Sequence, residues 1–265
     1  MVGFIGAGNM ASSIVRGLID AGKNPESIFV TDIDNEKLES IVTETGIKST
    51  STQKISSLVS VLILAVKPQV MKSVCHELVS IDAVHLVISV AAGIRITQLE
   101  QWLDSKKAIV RCMPNTPALV GEGATGLFAN KLVDDHQKEL TQSIMGSVGL
   151  TSWLENEADM DIVTALSGSG PAYFFLLMEA MQDVAEELGL KKEVADVLVY
   201  QTAIGASKLI RKTNDSSSLL RKRVTSPGGT TERAVSEFER GNLRGLVRKA
   251  LIAARDRSIE LSEDL

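Results

Sequence analysis

A glycine-rich hexapeptide, Gly6-Ala7-Gly8-Asn9-Met10-Ala11, separates the apolar run Val2-Gly3-Phe4-Ile5 from a stretch with helical apolar spacing. That stretch carries Ile14, Val15, Leu18 and Ile19 and stops at Gly22. Strand, glycine turn and helix in this order are compatible with few folds. The first glycine permits the tight turn, and the second lets a pyrophosphate approach the backbone. The small third residue lets helix and strand pack closely, and phosphates settle on the helix N-terminus. The rest of the first half continues the pattern. Ser27-Ile28-Phe29-Val30 reads as a second strand, with a helix from about Asn35 to Thr45. The runs 61–66, 85–90 and 107–112 read as strands of a parallel sheet, the first two buried on both faces. The expected fold is α/β, a doubly wound Rossmann domain over 1–155.

Beyond Trp153 the texture is helical, over Ala158–Leu190, Glu193–Lys212 and Leu243–Glu260. An all-α dimerisation domain is expected over 156–265. Apolar residues such as Tyr173-Phe174-Phe175-Leu176-Leu177-Met178 fall on more than one helical face, more than a small bundle buries alone. A homodimer at least is expected, with further assembly of dimers left open. Composition excludes several classes. A net charge of −5 and 4% aromatics suit neither a phosphate backbone nor a base-stacking platform, so no nucleic-acid partner is expected. The apolar run Leu58–Val66 reaches only nine residues, short of the roughly 20 that span a bilayer. No basic leader precedes the first strand, so a cytoplasmic protein without membrane contact is expected. Two cysteines and three histidines lack ligand spacing, and no metal is expected.

Asp32 lies 21 residues after Ala11, at the end of the second strand, where a carboxylate accepts from ribose hydroxyls and repels a 2′-phosphate. The alternative is that Asp32 or Asp34 caps the next helix. Asp34 adds to the repulsion, and Lys37 and Lys54 are the bases that could offset it. The local chemistry therefore predicts NADH use at least comparable to NADPH use. Ala65-Val66-Lys67-Pro68-Gln69 and Ser89-Val90-Ala91-Ala92-Gly93 sit at the carboxyl ends of central strands, with room for a flat ring. Asn115, in Arg111-Cys112-Met113-Pro114-Asn115-Thr116-Pro117, reads either as a ligand donor or as a turn former. Leu166-Ser167-Gly168-Ser169-Gly170-Pro171-Ala172-Tyr173 fails the nucleophile-elbow pattern and reads as a close-packing turn opening the first long helix. In Val224-Thr225-Ser226-Pro227-Gly228-Gly229-Thr230-Thr231-Glu232, amides and hydroxyls gather before a helix that runs to about Arg240. That pattern suits a carboxylate, or else an elaborate cap.

Taken together, GFIGAGNM at 3–10, LAVKPQ at 64–69, SVAAGI at 89–94, RCMPNTP at 111–117, ALSGSGPAYF at 165–174 and VTSPGGTT at 224–231 resemble the pyrroline-5-carboxylate reductase family. The resemblance covers essentially the whole chain. It implies reduction of 1-pyrroline-5-carboxylate to L-proline with NADP or NAD as cofactor, the last step of proline biosynthesis. It also implies a Rossmann domain joined to a helical domain that builds an intertwined dimer. The cofactor then falls on Ile5 to Met10, on Ala65 to Pro68 and on Ala91 to Gly93, joined by Asp32 and Asn115. The substrate falls on Ser226, Gly228, Gly229, Thr230 and Thr231. Thr231 hydrogen-bonds the ring nitrogen and is the catalytic candidate. Two departures stand out. Ser217 stands where many members have a proline, and Asp32 stands where others carry a phosphate-binding Ser or Arg.

The implied chemistry is hydride transfer to C5 of a cyclic imine whose ring nitrogen is protonated. Positioning, a carboxylate anchor and one hydrogen bond to nitrogen suffice for that step. A β-hydroxyacid dehydrogenase would need a lysine early in the long helix, and Thr151 to Leu190 holds no Lys or Arg. A non-catalytic nucleotide sensor would have no need of the loop at 224–231.

Overall fold

The computed structural model describes residues 1–78, 80–104 and 106–263. The chain begins β1 (Val2–Ile5), α1 (Asn9–Asp20), β2 (Ile28–Thr31), α2 (Asn35–Thr45), β3 (Lys48–Ser49) and α3 (Thr52–Leu58). It continues β4 (Val61–Leu64), α4 (Pro68–Glu77), β5 (Leu86–Ser89), α5 (Ile96–Trp102) and β6 (Ala108–Met113). Then come β7 (Gly123–Ala129), α6 (Asp135–Gly146) and β8 (Gly149–Trp153). The strands form one sheet in the order β3-β2-β1-β4-β5-β6-β7-β8. All neighbours are parallel except β6 and β7. Strand order reverses between β1 and β4, the place where open α/β sheets bind ligands.

Why these runs are central is visible in their burial. Every residue of β1, β4 and β5 is buried. Alternate side chains feed opposite faces: Phe4, Ile63, Ile88 and Val110 join one core cluster. Leu62, Leu64, Val87 and Ile109 join the other. Each such side chain contributes about 1.5–3 kcal/mol when fully buried.

The sequence pattern passed over β7 and β8. Gly123-Ala124-Thr125-Gly126-Leu127-Phe128-Ala129 holds two glycines and two Cβ-only alanines, which are weak strand formers. Edge strand β8 alternates half-buried and exposed residues rather than showing an apolar run.

The helical half comprises α7 (Asp159–Val163), a π-turn over Thr164–Gly168, α8 (Gly170–Glu187) and α9 (Lys192–Thr213). It ends with α10 (Ser217–Arg223), α11 (Thr230–Arg240) and α12 (Leu243–Glu263). Here the expectation of a turn opening a helix at 166–173 is corrected. Helix begins already at Asp159, and Ser167 and Gly168 lie inside the π-turn. Ser217, the departure from the family's proline, occupies the first position of α10, where the backbone N–H needs no helical partner. The Ser216 side chain caps that helix through the Leu219 N–H at 3.2 Å.

The chain forms two compact units, Met1–Pro171 with the residues from Ala253 onward, and Ala172–Ile252. This differs from the expected division at 155/156. Residues 156–171 are tied to the sheet unit by the pair of buried Arg111 with half-buried Glu157 at 3.2 Å and by the core residues Met160 and Ala165. The end of α12 is tied to it by Ser258, whose hydroxyl donates to Asp161 at 2.7 Å. Within 172–252 the buried residues, among the described ones, are Ala195 and Val199. By length and composition alone the stretch Asp159–Glu187 could cross a membrane, which a count of uninterrupted apolar residues did not reveal.

Candidate functional site

The turns after β1, β4 and β5 leave the sheet at one level, because Ile5 pairs with Leu64 and Leu64 with Ser89. Gly6 takes φ +103°, and a Cβ there would lie 2.5 Å from the Ala65 carbonyl oxygen. The first glycine is therefore required twice, by its backbone conformation and by the neighbouring turn. Gly8 is different: a Cβ there would meet nothing within 4 Å. It opens α1 with no side chain capping the helix, so the first-turn amides have no capping side-chain acceptor. Ala7 and Ala11 are buried, Met10 is half-buried and Asn9 is exposed. Lys67 precedes α4 and Pro68 is its first residue. Gly93 turns the next loop in the left-handed region, with Ala91 buried and Ala92 exposed. The geometry thus gathers Ile5 to Met10, Ala65 to Pro68 and Ala91 to Gly93 on one edge. An open anion site at a helix N-terminus, beside small-residue loops, fits a dinucleotide pyrophosphate and a flat ring.

Asp32 follows β2 directly. One carboxylate oxygen accepts the Ala7 N–H at 2.6 Å, and the other accepts the Asp34 N–H at 2.8 Å. The capping alternative resolves onto Asp34, whose side chain accepts the Lys37 N–H at the start of α2. The Lys37 ammonium also sits 2.6 Å from Asp34. Its hydrogen bond, and then the Lys37 backbone N–H, hold the Asp34 carboxyl below the usual range. Lys37, one of the two bases named against the repulsion of a 2′-phosphate, is thereby paired with an acid of its own segment. Ile33 between the two acids is 97% exposed.

Asn115 is buried and both ends of its amide have protein partners. Its oxygen accepts the Ala124 N–H at 2.8 Å, and its nitrogen donates to the Ser167 carbonyl at 3.0 Å. It is more than a bare turn former: one N–H and the oxygen of its amide hold the protein together, and an amide carries a second N–H besides.

In the loop at 224–229, the Gly229 N–H donates to the Ser226 carbonyl at 3.0 Å. The Gly228 N–H donates to the Glu232 carboxylate at 2.7 Å. These two amides shape the loop, so the anion-binding donors that remain are the first-turn N–H groups of α11. No hydroxyl caps α11, whose cap position is Gly229. Ser226 and Thr230 are exposed and Thr231 is half-buried. Glu232 was not expected as a loop-shaping residue. Its place one turn after a glycine pair is the signal that could have found it.

Cys75 and Cys112 are buried, and burial pushes the Cys75 thiol up to about 12 and raises that of Cys112 as well, so neither is a nucleophile. His76, His85 and His136 are exposed. Among the described residues no group of three His, Cys, Asp or Glu is placed to hold a metal ion. Sequence reasoning also missed Glu157, whose carboxylate meets Arg111 and accepts the Ile96 N–H at 2.8 Å.

Residues 157–261 match the family model for pyrroline-5-carboxylate reductase dimerisation. Residues 1–93 match that for coenzyme F420-dependent NADP oxidoreductases. The chain is 46% identical to a pyrroline-5-carboxylate reductase of Pseudomonas aeruginosa, over all of this chain and 97% of that one. A pyrroline-5-carboxylate reductase structure from Coxiella burnetii superposes with a TM-score of 0.94 at 48% identity, covering 98% of this chain and 97% of that one. One from Plasmodium falciparum, with NADP bound, gives 0.83 at 31% identity over 98% and 97%.

Proposed function

This chain belongs to the pyrroline-5-carboxylate reductase family, and from that premise we propose how its own residues carry the reaction. The protein reduces 1-pyrroline-5-carboxylate to L-proline by hydride transfer from NAD(P)H, in the last step of proline biosynthesis. When bound, the dinucleotide supplies the hydride at C4 of its nicotinamide ring.

The turn at Gly6–Met10 holds the pyrophosphate on the N-terminal amides of α1. The loops at Ala65–Pro68 and Ala91–Gly93 flank the ring, and Asp32 orders the glycine turn through Ala7 and reads the adenine ribose. Ser226 and Thr230, with the first-turn amides of α11, hold the substrate carboxylate. Thr231 directs its hydroxyl to the ring nitrogen. A hydroxyl is a weak acid, so Thr231 orients the iminium and passes a proton to or from water rather than supplying one outright. Gly228 and Gly229 give the loop its shape. One observation carries this division of labour: Thr230 and Thr231 open α11 with Ser226 in the loop before it, and no hydroxyl is used to cap the helix.

We divide the functional regions at 155/156, a placement supported by a dimerisation match that begins at residue 157. The chain forms homo-oligomers, and we read the exposed apolar faces of its helical half as subunit contacts rather than a bilayer surface. A cytoplasmic location and assembly of dimers into larger particles belong to the same reading. Oxidation of NADH and NADPH followed at 340 nm (about the reduced-nicotinamide absorption band) with pyrroline-5-carboxylate tests the activity. Thr231→Ala should lower kcat about 10²-fold while leaving dinucleotide affinity unchanged. Unchanged kcat removes Thr231 from the mechanism.

A further inference from the structure

Pro171, in the first turn of α8, has no N–H, and in an uninterrupted α-helix residue 171 would be the donor to the Ser167 carbonyl. The helix answers with the π-turn over Thr164–Gly168, in which the Ser169 N–H reaches back to the Thr164 carbonyl at 2.8 Å. Ser167, which is half-buried, thus lacks the i+4 donor of a regular helix. Asn115 supplies one from outside the helix, donating at 3.0 Å, while its oxygen is anchored by the Ala124 N–H at 2.8 Å.

The same contact ties the π-turn to the loop after β6. Asn115 follows β6, whose residue Arg111 pairs with Ser89 at the level where the dinucleotide loops leave the sheet. Gly168 packs so closely on this end of β6 that a Cβ would lie 2.6 Å from the Met113 terminal methyl. A π-turn is a costly irregularity that recurs at functional sites, and this one stands at the carboxyl edge of the sheet.

We infer that Asn115 is a positioning residue for the reduction. Its side-chain amide replaces the donor that Pro171 lacks and so fixes the Thr164–Gly168 turn against the carboxyl end of β6, the edge at which the nicotinamide reacts. The inference rests on the reductase reading for its kinetic consequence and on the hydrogen bond alone for its structural one. It stands beside the expectation that Asn115 contacts the cofactor, from which the affinity measurement below separates it.

Asn115→Asp tests it, because the acceptor for Ala124 stays while the donor to Ser167 is replaced by a carboxylate oxygen that faces the same carbonyl. In the full-length oligomer, kcat with pyrroline-5-carboxylate should fall at least about tenfold, with the dissociation constant for NADPH within about twofold of wild type. Amide exchange in peptides covering 163–170 should quicken. Pro171→Ala supplies a backbone N–H, so the cost of Asn115→Asp should shrink to about threefold or less in that background, with exchange restored. A tenfold loss of NADPH affinity at unchanged kcat would make Asn115 a cofactor ligand and overturn the proposal. So would unchanged kcat and exchange, or a double variant no better than Asn115→Asp. Wild-type protein that fails to turn over, while exchange still responds to Asn115→Asp and recovers with Pro171→Ala, would sink the reductase reading and leave the positioning intact. Should Asn115→Asp not fold, Asn115→Ser in both backgrounds replaces it, the Ala124 contact being lost in both and so cancelling from the comparison.

Discussion

The two compact units of this protein hold themselves together in opposite ways. In the sheet unit, apolar side chains from β1, β4, β5 and β6 close two cores, one on each face. In the unit Ala172–Ile252 the apolar side chains point outward: Phe174 is 63% exposed and Leu176 is 66% exposed. The first unit buries its hydrophobic surface within one chain. The second carries a comparable apolar content and has nowhere in the monomer to put it. A soluble monomer rarely exposes a continuous apolar patch of that kind, and the region matches a dimerisation family. We therefore expect the stability of the second unit to depend on protomer concentration.

The largest effect that could break this contrast comes from a charge placed on the outward face. On a solvated face Leu176→Asp would change stability by less than about 0.5 kcal/mol. In a subunit contact it buries an unpaired charge, at a cost of several kcal/mol. We expect a monomeric or aggregated species by light scattering and loss of at least about 99% of activity, roughly 2.7 kcal/mol on the barrier scale. A variant with wild-type mass and rate would mean that this face meets water.

A second pair of variants sharpens the other side. Gly6→Ala must adopt φ +103° and place a Cβ 2.5 Å from the Ala65 oxygen, costing about 3 kcal/mol or more. Gly8→Ala meets nothing in the protein. Its thermal midpoint should barely move, while the KM for dinucleotide rises about tenfold because the methyl occupies space the pyrophosphate needs. A stable Gly6→Ala protein would refute the tight-turn argument.

Glu157→Gln comes next in size. Arg111 is only 3% exposed, and its guanidinium would lose its charge partner while Ile96 kept an acceptor. The loss should be about 2 kcal/mol, below the range for fully buried pairs because Glu157 is partly solvated. Urea unfolding would register it in the sheet unit, with the oligomer's mass unchanged.

The smallest effect concerns cofactor choice. Asp32→Ser should shift the kcat/KM ratio towards NADPH by about tenfold, or 1.4 kcal/mol. Should the wild type already prefer NADPH by more than that, Asp32 serves only to hold the Ala7 and Asp34 amides.

What could be read from the sequence was whatever depends on near neighbours in the chain. The apolar runs of β1, β4 and β5, the glycine turn before α1 and the left-handed stop of α2 at Gly46 are local, and each appears where its residues predict it. Strands β7 and β8 were not legible, because a glycine- and alanine-rich strand is held by its ladder partners rather than by its own propensity. The same holds for the site. The glycine, small-residue and hydroxyl clusters around 5–10, 65–68, 91–93 and 226–231 are visible in the sequence, and the family resemblance gives the roles we propose for them. That Asp32 holds Ala7, that Glu157 lies against Arg111 and that Asn115 reaches Ser167 across 52 residues is not visible there. Helical periodicity identified the outward faces of α8 and α9 as apolar, and it also hid the π-turn, since 3.6-residue spacing cannot show where a hydrogen-bond ladder slips. By itself the sequence determined which segments must be strand, helix or turn, because backbone sterics and apolar period act over a few residues. Only the tertiary structure decided which polar groups meet. A buried amide or carboxylate takes whichever partner the packed chain brings within 3 Å or so, and sequence distance places no bound on that choice.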